Sequence, residues 1–248
     1  MTFDAWEAAL REGAGALGIA LPETAVAAWR RQCELLAAHS PRAGLTAISD
    51  PAEVAIKHVL DSLAGLLVRD ILRDERVADV GPGGGFPGLV LAAARPQARY
   101  ALVEANRRRA AFLAQAAREL GLPQVMVVAA RAEEVGQDPR HRERYHLVVS
   151  RAVAPLPVLL ELCLPLVRLG GQALAYKGPE AEAELARSAA ALAALGGRVA
   201  EVRPLALPRG MGERRLVLVA KERPTPARYP RRPGMPAKRP IGPRDTQG

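Results

Sequence analysis

Along the first 75 residues the apolar side chains return every three or four positions, the interval of a helix. Phe3, Trp6, Leu10 and Leu17 share one face of a first helix. Pro22 opens a second, with Val26, Trp29, Leu35 and Leu36 as its apolar positions and an expected end near Ser40-Pro41. A third begins at Asp50, which can cap it, with Pro51 at the first helical position and Glu53 completing a capping box. Val54, Ile56, His58, Leu60 and Leu63 fall on this one helix. Residues 1–75 therefore read as a helical region packed on the domain that begins at Arg76.

From Arg76 the pattern changes to short apolar runs alternating with helical stretches. VADVG, ARYALVE, QVMVVAA and YHLVVSRA read as strands. GLVLAAA, NRRRAAFLAQAARELG and LPVLLELCLPLVRLG read as helices between or after them. QALAYKG is a fifth strand and PEAEAELARSAAALAALGG a single helix. RVAEVRPLAL and ERRLVLVAKE close the series as a hairpin around PRGMG, which makes one strand of the sheet antiparallel. Repeated strand-helix units predict an α/β domain over 76–222, a mostly parallel sheet covered by helices on both faces. Residues 223–248 are rich in Pro, Gly and Arg, and this tail is expected to build no core of its own.

Composition sharpens the picture in three places. Aromatic residues are only 4% of the 248, so the core must rest on Leu, Val and Ala. The net charge is +9, carried mostly by arginine, whose planar fork suits phosphates, so a polyanionic partner is a fair expectation beside a merely solubilising surface. Cys33 and Cys163 both sit in apolar helical patterns and read as buried free thiols, not a disulfide or a metal pair. No metal site is expected. The N-terminal stretch MTFDAWEAALREG is acidic and amphipathic, unlike a signal peptide, and no apolar run reaches the ~18 residues of a membrane span. A cytoplasmic protein away from membranes is the default expectation.

The candidate chemistry lies in VGPGGGFPG, between the first strand of the α/β part and its helix. Glycines there let a turn tighten and let the backbone approach a ligand, and ligands of such sheets bind at the carboxyl ends of the strands. Gly83 to Gly88 fits the dinucleotide spacing G-x-G-x-x-G, and Glu104 lies near the position of a ribose-binding acid. Three features favour S-adenosylmethionine over a dinucleotide. Asp79 precedes the glycines, where its carboxylate can meet the methionyl ammonium but would sit badly beside a pyrophosphate. Glu104 ends the next strand, where it can accept both ribose hydroxyls. The chain then closes with a hairpin in place of a second mononucleotide-binding half. Later strand ends add Ala132 and Glu133 as adenine contacts, although Glu133 can equally lead the first turn of a short helix. Arg151 and Lys177 stand at the mouths of the fourth and fifth strands.

In combination the motifs resemble the bacterial 16S rRNA guanine-N7 methyltransferase family. The resemblance rests on GLTAISDPAEVAIKHVLDSL (44–63), DVGPGGGFPG (79–88), LVEANRRRAAFL (102–113), RAEE (131–134), VVSRAVAPL (148–156), YKG (176–178) and YPRRPGMPAKRP (229–240). It implies a Rossmann-like S-adenosylmethionine-dependent methyltransferase fold with an N-terminal helical addition and a C-terminal β-hairpin. It implies S-adenosylmethionine as methyl donor and one guanine of the small-subunit rRNA as target. By position, Gly81, Gly83, Gly85 and Phe86 belong to the cofactor loop, Glu104, Ala105 and Asn106 to the ribose and adenine side, Ala132 and Glu133 to the adenine, and Arg151 to the mouth. Guanine N7 carries a lone pair and no proton, so no general base is expected. Arg151 and Lys177 are expected to orient the substrate, with His58 as a lesser contact whose other reading is a structural hydrogen bond. The tail is expected to hold RNA through Arg228, Arg231, Arg232, Lys238 and Arg239, with Tyr229 stacked on a base. A monomer is expected. A dinucleotide oxidoreductase and a non-catalytic RNA-binding relative are the alternatives.

Overall fold

The structure, a computed structural model, describes residues 3–43 and 45–242. The end of the expected tail, 243–248, lies outside the described residues.

Two long helices form first. α1 (Phe3–Leu17) buries Trp6, Ala9, Leu10 and Ala14 along one stripe. α2 (Glu23–Ala43) runs past the expected stop at Ser40-Pro41. Its Trp29 is fully buried, and the indole N–H donates to the Val90 carbonyl at 3.1 Å. The third expected helix is not one regular helix. It divides into α3 (Pro51–Val54), a π-helical run (Ala55–Leu60), α4 (Asp61–Leu63) and a 3-10 turn (Ala64–Leu67). Asp50 caps it by accepting the Glu53 N–H at 2.9 Å, but the Glu53 carboxylate pairs with Lys57 at 3.1 Å. Wide π turns of this kind recur at functional sites, where they re-aim side chains. Here His58 and Asp61 end against the glycine loop and the sheet.

The α/β part then builds β1 (Arg76–Val80), α5 (Gly88–Ala94), β2 (Arg99–Val103), α6 (Arg107–Glu119), β3 (Val125–Val128), α7 (Ala132–Gln137), β4 (Tyr145–Arg151), α8 (Leu156–Cys163), β5 (Val167–Lys177), α9 (Ala181–Ala186), α10 (Ala189–Leu195), β6 (Gly197–Ala206) and β7 (Glu213–Lys221). The seven strands lie in the order β3-β2-β1-β4-β5-β7-β6. β7 alone runs opposite to the other six strands, as the terminal hairpin predicts. The order reverses direction at β1 and β4, and the crevice outside their carboxyl ends is where such sheets bind ligands.

Two helical expectations are corrected. VRLGG belongs to β5, not to the preceding helix. A Cβ on Gly171 would lie 2.9 Å from the His146 carbonyl and 3.0 Å from that of Tyr145, so only glycine lets β5 pass β4 there. The single helix expected over 179–197 is two, broken at Ser188, whose hydroxyl donates back to the Glu184 carbonyl at 2.7 Å.

The core has two layers. One face of the sheet packs against α1, α2, the 51–67 run, α5 and α6. The other packs against α8, α10 and the tail. Both cysteines are buried and unpaired. Among the described residues no helix is long and apolar enough to cross a membrane.

The tail departs most from expectation. Tyr229 and Ile241 are 4% and 2% exposed and join the second core layer. A short helix, α11 (Met235–Lys238), lies between them. Arg142 donates to the carbonyls of Thr225 and Tyr229 at 2.7 Å each, and Gln137 to that of Pro230 at 2.8 Å. Arg231 pairs with Glu161 at 2.6 Å, and Glu161 is wholly buried.

Candidate active site

Asp79 is 1% exposed near the end of β1. Its Oδ2 accepts the Gly88 N–H at 2.7 Å, while its Oδ1 is buried with no partner. Burial pushes this carboxyl up to about 7, against the pull of the Gly88 hydrogen bond and the Arg151 charge. A Cβ on Gly88 would lie 2.7 Å from Asp79 Oδ2 and 2.4 Å from Leu102, so this approach needs glycine. Gly81 has φ +73°, and a Cβ there would lie 2.4 Å from the Val153 side chain.

Glu104 comes directly after β2. Its two oxygens accept the N–H groups of Gly83 at 3.2 Å and Asn106 at 2.9 Å. Asn106 in turn caps α6 by accepting from Arg108 at 2.9 Å. Gln32 of α2, 1% exposed, donates to the carbonyls of Gly84 and Gly85 at 3.2 and 3.3 Å and braces the loop from the N-terminal side. Ser150 ties β4 to β1 by donating to the Val80 carbonyl at 2.7 Å.

A cavity of about 390 Å³ opens beyond these strand ends. Gly81, Glu104, Ala105, Ala132 and Glu133 line it. Glu133 does lead a short helix, α7, and its Oε1 accepts the Gly234 N–H at 2.9 Å. Asp79, Gly83, Gly85 and Asn106 are not among its lining residues. Val153 and three tail residues, Gly234, Pro236 and Ala237, also line it, together with Arg109 and Arg131. Nothing in the local sequence of Val153 and the tail residues points to the cavity, because they reach it through the tertiary fold.

Phe86 and Arg151 are not in that wall. Phe86 stacks on His58 with ring centres 4.6 Å apart, and the Arg151 guanidinium lies 5.5 Å over the Phe86 ring. Arg151 donates to Asp61 at 3.0 Å and to the carbonyls of Lys57 and His58 at 3.2 and 3.4 Å. Asp61, 2% exposed, also accepts from Arg214 at 3.0 and 3.1 Å. Sequence reasoning passed over Asp61. Its one signal is a lone carboxylate in the apolar run HVLDSL. His58 bonds Thr46 Oγ1 at 2.8 Å, which matches its structural alternative. Burial, helped by the Arg151 charge, pushes its pKa down to about 4, so it is neutral at physiological pH. Lys177 donates to the Ala154 carbonyl at 2.9 Å and pairs with Glu184 at 2.7 Å.

The tail residues separate into two sets. Tyr229, expected as a base-stacking ring, is buried, and Arg231, expected as a phosphate contact, is spent on Glu161. Arg228, Arg232, Lys238 and Arg239 are exposed, with the Arg228 guanidinium 5.2 Å over the Tyr229 ring.

A family model described as "rRNA small subunit methyltransferase G" matches residues 27–215. A protein named "Ribosomal RNA small subunit methyltransferase G" from Symbiobacterium thermophilum is 46% identical over 246 residues, covering 97% of this chain and 100% of its own. A protein of the same name from Pelotomaculum thermopropionicum is 45% identical over 232 residues, covering 94% and 97%. Among solved structures, a 16S rRNA (adenine(1408)-N(1))-methyltransferase from Catenulisporales acidiphilia superposes with TM-score 0.53 at 18% identity, over 62% of this chain and 88% of that one. TrmN from Thermus thermophilus gives 0.51 at 20% identity, over 64% and 48%. These two likenesses bear on the fold alone.

Proposed function

Since the chain belongs to the small-subunit rRNA methyltransferase G family, we propose that it moves a methyl group from S-adenosylmethionine to N7 of one guanine in 16S rRNA of the small ribosomal subunit. The chain is a methyltransferase, and the dinucleotide reading of its glycine loop falls away with that. The observation that carries the donor is the unpartnered, buried Oδ1 of Asp79 beside a glycine loop at the carboxyl end of β1. A buried polar atom without a partner is costly, and the methionyl ammonium is a partner of matching charge. Glu104 has lone pairs left after its two backbone hydrogen bonds, enough for two ribose hydroxyls. Ala132 and Glu133 flank the remaining volume, where the adenine belongs.

When bound, the donor supplies an electrophilic methyl group on a sulfonium. The protein needs no base, because N7 attacks through a free lone pair. Its work is to align the two partners, a contribution of several kcal/mol. Arg151 and Lys177 suit this task better bound to carboxylates than bare. An unpaired cation beside N7 would oppose the positive charge that the ring gains. Pairing with Asp61 and Glu184 lowers that cost and leaves N–H groups to orient guanine O6 or a phosphate. The exposed Arg232, Lys238 and Arg239 suit the rRNA backbone.

The test is incubation with labelled S-adenosylmethionine and small subunits from cells lacking the enzyme. Label is expected at one guanine that cleaves after reduction and aniline treatment, as N7-methylguanine does. Label without cleavage would move the chemistry to another atom. Stabilisation by NADH but not by S-adenosylhomocysteine would overturn the donor. In the same assay Arg151→Ala is expected to slow transfer about 100-fold while cofactor affinity changes far less. Normal turnover with normal affinity would remove Arg151 from the orienting role.

A further inference from the structure

The inward face of the tail is fixed by groups that bring it to the cavity. Arg231 donates its backbone N–H and its Nε to Glu161 Oε1 at 2.9 Å each, and a terminal nitrogen to Oε2 at 2.6 Å. Glu161 lies on α8, the helix that also presents Val158 and Leu162 to the cavity. Pro230 packs so closely on α7 that a Cβ at Gly136 would lie 2.7 Å from its ring. Beyond this anchor the chain turns through Gly234, at φ +80°, whose N–H holds Glu133. Pro236 and Ala237 then supply cavity wall.

We propose that residues 229–237 are a retaining wall for the methyl donor, latched by Arg231 on Glu161, and that this inward face governs donor retention and not RNA affinity. The proposal rests on reading the cavity as the S-adenosylmethionine site. It assigns Arg231 as a positioning residue, acting through Gly234 and Glu133. RNA contact is left to the outward set, Arg232, Lys238 and Arg239.

The experiment uses the full chain and compares wild type, Arg231→Gln, Arg231→Lys and a triple variant with Arg232, Lys238 and Arg239 all changed to Ala. S-adenosylhomocysteine affinity is read by calorimetry, and small-subunit affinity by a salt series. Protease cleavage within 223–242 reports release of the tail. Arg231→Gln is expected to release the tail and weaken S-adenosylhomocysteine binding about tenfold or more, raising KM for the donor while KM for the subunit holds. Arg231→Lys is expected to recover part of the affinity. The triple variant is expected to keep S-adenosylhomocysteine affinity and to bind subunits with a shallower salt dependence. A released tail with unchanged S-adenosylhomocysteine affinity would overturn the proposal. Should Arg231→Gln fail to fold, Ala237→Trp, at an exposed wall position, carries the test. Lost donor affinity with retained subunit affinity supports the wall, and retained donor affinity overturns it. Wild-type protein that binds no S-adenosylhomocysteine would instead overturn the donor reading beneath it.

Discussion

Asp79→Asn should abolish most of the cofactor affinity and, in the ligand-free protein, raise stability at neutral pH. The two effects share one cause. The Asp79 carboxyl is raised from an ordinary 3.8 to about 7 by burial. Between those values the folded protein holds a proton that the unfolded chain has released, so stability falls as pH rises from about 4 to 7. A shift of this size corresponds to about 4 kcal/mol at most, lost by pH 7 and above. Asn carries no charge and can still accept the Gly88 N–H, so the variant escapes that loss. An ammonium at Oδ1 reverses the balance, because binding it favours the carboxylate and expels the proton. Wild-type affinity should therefore climb with pH up to about 7 and level off. Glu104 disfavours that ionisation and Arg151 favours it, and neither outweighs burial. Calorimetry in two buffers of different ionisation enthalpy should detect proton release on S-adenosylhomocysteine binding by the wild type and none with Asp79→Asn. Equal proton counts for the two proteins would show that the carboxyl does not meet the ammonium.

The second large effect is expected at Asp61. Its carboxylate bridges Arg151 and Arg214, whose side chains are 13% and 23% exposed. Asp61→Asn leaves two neighbouring guanidinium groups without the charge between them. Breaking a buried ion network by removing one partner costs about 3–5 kcal/mol. For a chain of this length that is a fall in Tm of about 10 °C. Scanning calorimetry of the ligand-free protein measures it, and a Tm within the error of wild type would remove Asp61 from the structural role. The same change frees Arg151 from its place over Phe86, so transfer should fall in the surviving folded protein.

The sequence carried what is written over short distances. Asp79, the glycines and Glu104 stand within one strand-loop-helix-strand unit, so their order alone brings them to the carboxyl ends of β1 and β2. Asp61 and Gln32 could not be read this way. Asp61 is a lone carboxylate in an apolar run and Gln32 is one polar residue among Arg30, Arg31 and Glu34, and the partner of each lies between 52 and 153 positions away. The π-helical run escaped because its apolar residues satisfy an ordinary helical period just as well. The tail was misjudged for a different reason. Counting apolar area predicted no core, but prolines leave many carbonyls and few N–H groups. Arg142 and Gln137 supply the missing donors from outside the segment. A chain poor in hydrophobic surface can thus be ordered by borrowed hydrogen bonds.

The chain's two tryptophans, Trp6 and Trp29, are both fully buried in the same layer, on the face of the sheet that carries α1 and α2. Intrinsic fluorescence is therefore an optical label for that layer alone. Trp29 is bonded to Val90, in the helix that leaves the glycine loop, so the label also sits one hydrogen bond from the loop's own scaffold. Its emission tracks the departure of the N-terminal helices from the sheet, whereas far-ultraviolet dichroism sums over every element. Superposition of the two unfolding curves would mark a single cooperative unit, and a leading fluorescence curve a layer that peels first.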